Sequence, residues 1–112
     1  MRIEAVEVWR EYLPLTKPYT ISRETIAAVE LFFVRIHAQG LCGAGSASPA
    51  VEVTGESPES CRAALDGAAH RLVGEDALAV GRLARLLERD LPAAPAARAA
   101  CDMALWDLLG KR

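Results

Sequence analysis

Up to Ala47 the apolar residues fall mostly at alternate positions, and from Ser57 onward they fall at helical spacing between capping residues. Ile3 to Tyr12 carries Val6, Val8, Trp9 and Tyr12 with no helix breaker inside it, which predicts a strand. Pro14, Thr16, Lys17, Pro18, Tyr19 and Ser22 make a polar, Pro-rich stretch that predicts irregular structure. From Ile26 to His37 the chain is strongly β-forming. Alternation puts Ala28, Phe32, Val34 and Ile36 on one face and Val29, Leu31 and Phe33 on the other, as in a central strand covered on both sides. Gln39-Gly40 supplies a tight turn, and Leu41 to Ala47 returns as a short third strand.

A second loop follows, from Ser48 to Glu56. Ser57 as N-cap and Pro58 at the first helical position open a helix that runs to about Val73 and stops at Gly74. Asp76 is expected to cap a second helix to about Arg89, with Val80, Leu83 and Leu87 on one stripe. Leu91-Pro92 and Pro95 break the chain before a third helix, from about Ala96 to Leu109, ending at Gly110. The predicted fold class is α+β: a three-stranded antiparallel meander followed by a bundle of about three helices, in one domain over residues 1–112.

The third helix is apolar twice over. Ala99, Met103 and Trp106 share one side, and Ala100, Cys101, Ala104 and Leu108 share the other, with Arg98, Asp102 and Asp107 between them. One such face suffices to pack on the meander. The second calls for a further partner, and the chain reads as though cut at a domain boundary after Lys111-Arg112.

Composition narrows the function classes. At 112 residues the chain has room for one core, and a net charge of −2 without a basic cluster offers nothing to a nucleic-acid backbone. No apolar run reaches the roughly 20 residues of a membrane span, and the N-terminus lacks a signal-peptide core. Cys42, Cys61 and Cys101 are odd in number and widely spaced, which fits buried thiols in a reducing, cytoplasmic compartment. His37 and His70 complete no metal site with them. No glycine-rich phosphate loop precedes a helix, and no carboxylate or nucleophile cluster has catalytic spacing. Catalytic and metal-binding residues are therefore expected to be absent from this chain.

Ala104-Leu105-Trp106-Asp107-Leu108-Leu109-Gly110-Lys111 resembles the segment that closes the N-terminal capping domain of the enolase superfamily, in its muconate-lactonizing branch. The order of elements is similar as well, over essentially the whole chain. The resemblance implies a C-terminal modified TIM barrel in the parent protein. That barrel would supply Mg²⁺ ligands and the lysines that move a proton next to a carboxylate, so Mg²⁺ is a cofactor of the parent and not of this chain. Pro18-Tyr19-Thr20-Ile21-Ser22-Arg23 and Val53-Thr54-Gly55-Glu56-Ser57 resemble the two capping loops of dipeptide epimerases. By that resemblance Arg23 pairs with the acidic side chain of a dipeptide such as Ala-Glu, Tyr19 covers the substrate, and Thr54 and Gly55 lie at the pocket's edge. Gly45-Ser46-Ala47 departs from the Gly-Glu-Ala of many relatives. Muconate cycloisomerases and o-succinylbenzoate synthases share the scaffold and stand as alternatives within the superfamily. Outside it, the alternative is a free-standing α+β interaction module that self-associates through the second apolar face.

Overall fold

The computed structural model describes the backbone at residues 1–21, 24–49 and 55–112, and side chains at 1–12, 30–49 and 55–112. Strands β1 (Ala5–Ile21), β2 (Glu24–Ala38) and β3 (Leu41–Ala47) form one antiparallel sheet in the order β1-β2-β3. The β2–β3 turn is the predicted one. Gln39 and Gly40 both have positive φ, at 52° and 75°, as a two-residue type I′ turn requires, and Ala38 pairs with Leu41 across it.

The stretch expected to be irregular from Pro14 to Ser22 is instead strand as far as Ile21, while Ser22 lies outside the described residues. Its irregularity survives as a bulge. Pro14 pairs with Ala28 and Tyr19 with Ile26, so four residues of β1 stand against one of β2. β1 is an edge strand, and prolines are tolerated there because half of its N–H groups face no partner.

Phe32, Val34 and Ile36 lie buried on the inner face of the sheet, with Val6 and Val8 packed against the same core. Among the described residues helices cover that face alone, so there β2 is not enclosed on both sides as its sequence suggested. The outer face is shielded by its own side chains. Trp9 stacks on Phe33 at 5.4 Å, and the Arg35 guanidinium lies 5.0 Å from the Trp9 ring.

Helix α1 (Pro58–Leu72) begins as predicted. Ser57 accepts from the Ser60 N–H at 3.0 Å, and Ser60 Oγ accepts from the Ser57 N–H at 2.9 Å. It stops before Gly74, whose φ of +90° no β-branched residue would adopt readily and whose N–H donates to the Ile3 carbonyl. The second helix starts later than expected. Asp76 does not cap it, because its carboxylate accepts from Leu78 N–H at 3.0 Å and from the Met1 amine at 3.1 Å, closing a turn that ends at Ala79. Helix α2 (Val80–Asp90) follows without a side-chain cap and buries Leu83 and Leu87. Helix α3 (Pro95–Gly110) opens on Pro95, which starts the helix rather than preceding it.

α3 lies on β3 at backbone contact. A Cβ on Gly43 would come within 2.1 Å of the Ala104 carbonyl oxygen, and one on Gly45 within 2.0 Å of the Ala100 oxygen. Glycine at both positions is therefore what lets helix and strand touch. Ala97, Ala100, Cys101, Ala104, Leu105 and Leu108 are buried on this side. On the other side Met103 is 50% exposed and Trp106 58% exposed.

Candidate functional site

The candidate residues belong to two segments, one around the β1–β2 hairpin and one that follows β3. β1 runs toward its hairpin with β2, and Tyr19 pairs there with Ile26. β3 runs the same way and ends where Ala47 pairs with Phe32. The hairpin thus extends about six residues beyond β3, on the order of 20 Å. α3 runs antiparallel to β3, since Gly45 meets Ala100 and Gly43 meets Ala104, so its N-terminus lies at this same end. The structure therefore places the backbone of Tyr19 beyond the end of β3, toward the tip of the β1–β2 hairpin. Arg23 falls outside the described residues, and so does Thr54. Gly55 is described: it is exposed, with φ +76°, just ahead of Glu56.

Near this end two ion pairs stand among the described residues. Arg10 reaches Glu30 at 3.4 Å and lies over the Tyr12 ring, and Arg62 pairs with Asp66 at 3.2 Å. Glu56 is buried at 1% exposure, and its carboxylate accepts from Ala96 N–H at 2.7 Å and Ala97 N–H at 3.3 Å. It caps α3 from across the fold. Sequence reading passed over it, because nothing local marks a glutamate whose partners lie 40 and 41 residues away.

Among the described residues nothing is arranged for covalent or metal chemistry. Burial pushes the Cys61 thiol up to about 11, helped by Glu56 and Glu30, and pushes Cys101 up to about 12. Both are core thiols rather than nucleophiles. His37 bonds Glu7 on the outer face of the sheet, with Arg35 at 3.7 Å from the same carboxylate. No three His, Cys, Asp or Glu side chains among the described residues converge on one point, so they do not fit a Mg²⁺ site. No helix among them is long and apolar enough to cross a membrane.

Residues 3–112 match the family described as the mandelate racemase / muconate lactonizing enzyme, N-terminal domain. The chain is 48% identical to the L-Lys-D/L-Arg epimerase of Methylococcus capsulatus over 99% of its own length and 32% of that enzyme. It is 43% identical to the L-Lys-D/L-Arg epimerase of Desulforapulum autotrophicum, and 31% identical to the L-Ala-D/L-Glu epimerase of Bacillus subtilis, with similar coverage. The fold superposes on the crystal structure of a Methylococcus capsulatus dipeptide epimerase, complexed with Mg and the dipeptide L-Arg-D-Lys, with a TM-score of 0.92 over 99% of this chain and 32% of that one. The chain thus spans about a third of the length of the relatives it matches.

Proposed function

The chain belongs to the mandelate racemase / muconate lactonizing enzyme N-terminal domain family, and we propose that it is the capping and specificity domain of a larger, Mg²⁺-dependent dipeptide epimerase. The observation that carries this is end-to-end similarity, at 48% identity, to the corresponding third of an epimerase. The exposed Met103 and Trp106 face agrees with it, since a domain that seats on a larger body needs an apolar surface to do so. Catalytic and metal-binding groups belong, in this reading, to a C-terminal barrel. The chain contributes Tyr19 and Arg23 from its first capping segment and Thr54 and Gly55 from its second, which close over the substrate and select its side chains.

The favoured substrate is a dipeptide with cationic side chains, because two relatives above 40% identity are L-Lys-D/L-Arg epimerases. Arg23 favours a second reading, an acidic dipeptide, since a guanidinium pairs with a carboxylate and repels an ammonium. Proton exchange at the α-carbon in D₂O, followed by NMR on the full-length protein with Mg²⁺, tests both. Faster exchange on L-Lys-L-Arg than on L-Ala-L-Glu is the expected result, and no exchange on any dipeptide overturns the proposal. Arg23→Ala separates the two readings. For an acidic substrate, loss of a charge-assisted hydrogen bond lowers kcat/KM roughly ten- to hundredfold, whereas a cationic substrate loses little.

A further inference from the structure

Three consecutive residues anchor the start of the helical half. Gly55 takes a left-handed conformation with φ +76°, Ser57 caps α1 with its hydroxyl, and between them Glu56 turns inward to cap α3. α3 has no cap of its own. Ala94 stands at its N-cap without a side-chain acceptor, and Pro95 begins it. The Glu56 carboxylate therefore takes the first free N–H groups, where the helix dipole also favours a negative charge. A serine at position 94 could satisfy the helix locally. Recruiting a glutamate from 40 residues away does something a local cap cannot: it fixes the chain at position 56 to the end of α3.

We propose that Glu56 is a positioning residue for substrate recognition, clamping the backbone of Gly55 at the rim of the pocket through its bonds to Ala96 and Ala97. This rests on the reading of Gly55 as part of the substrate site. Without the clamp, only a fraction of molecules holds Gly55 where substrate needs it, and apparent affinity falls by that fraction while the chemical step is unchanged.

The test uses the full-length protein and three variants: Glu56→Ala, Glu56→Gln, and Glu56→Ala combined with Ala94→Ser, which returns a local cap to α3. Kinetics on L-Lys-L-Arg, amide exchange at residues 55–57 and the thermal midpoint are measured on each. Glu56→Ala is expected to raise KM about tenfold with kcat within about twofold, to speed exchange at Gly55 and to lower the midpoint. The double variant should recover the midpoint but neither KM nor Gly55 protection, and Glu56→Gln, which keeps an acceptor, should fall between wild type and Glu56→Ala. Recovery of KM together with the midpoint in the double variant would reduce Glu56 to a helix cap and overturn the proposal. So would a fall in kcat at constant KM, or unchanged exchange at Gly55 in Glu56→Ala. If the wild type turns over no dipeptide, the functional reading fails on its own account, and the exchange measurement still decides whether the clamp exists.

Discussion

On its inner side α3 presents Ala97, Ala100, Cys101, Ala104, Leu105 and Leu108, each at or near zero exposure, while on its outer side Ala99, Met103 and Trp106 stand in solvent. Both faces are apolar, so hydrophobicity alone does not tell which one packs. Size does. The inner face is mostly small and meets Gly43 and Gly45, so the helix backbone reaches the strand. The outer face carries the long Met103 and Trp106 side chains, half or more exposed, and has no counterpart within the described residues. One face is fitted to this domain, and the other is left open to solvent.

The sharpest way to break this contrast is Gly45→Val. Its Cβ would sit 2.0 Å from the Ala100 oxygen, a backbone atom that cannot swing aside, so α3 must lift from β3. A loss of about 4 kcal/mol or more is expected, enough to abolish a cooperative urea transition followed by circular dichroism. Leu105→Ala comes next. This side chain is 1% exposed, and its truncation should cost about 2–5 kcal/mol, seen as a lower urea midpoint at unchanged slope.

A smaller effect sits at the far end of the same helix. Asp107 accepts from Ala44 N–H at 2.9 Å and from Lys111 Nζ at 3.0 Å, and these two partners, the backbone N–H first, hold its carboxyl below the usual carboxylate range. A depressed folded-state value means the contribution is present above the ordinary unfolded value, about pH 4, and is lost as pH falls through the folded one. Asp76 and Asp90 are lowered too, so Asp107→Asn should flatten the acid limb of stability against pH only in part. The smallest effect belongs to the outer face. Trp106→Ala should change the stability of the 112-residue chain by less than about 0.5 kcal/mol. A large loss there would mean that the outer face packs within the domain after all.

What could be read from the sequence was what local chemistry decides. Ser57-Pro58 announces a helix start, Gln39-Gly40 a hairpin, and the pattern of α3 two separate apolar faces, because in each case cause and effect lie within a few residues. Asp76 misled for the converse reason: its carboxylate accepts a local N–H, from Leu78, as an N-cap would, but it closes a turn tied to the Met1 amine, and the helix starts only at Val80. Pro14 and Pro18 read as loop because an edge strand with a bulge tolerates what a central strand does not, and edge position is a property of the assembled sheet. Glu56 was invisible because its partners lie 40 residues on. Of the candidate site, the backbone of Tyr19 lies in the β1–β2 hairpin and Gly55 just ahead of Glu56, and Arg23 and Thr54 lie outside the described residues.

The two tryptophans of this chain occupy environments that light can tell apart. Trp9 is clamped between Phe33 and the Arg35 guanidinium, with its indole N–H donated to Glu11 at 3.2 Å. Trp106 is more than half in water. Emission from Trp106 should lie to the red and be open to a collisional quencher such as acrylamide, while Trp9 should be the more shielded of the pair. Anything that comes to rest on the outer face of α3 would shift the Trp106 signal to the blue and leave Trp9 unchanged, so the domain carries a built-in optical gauge of whether that face is covered.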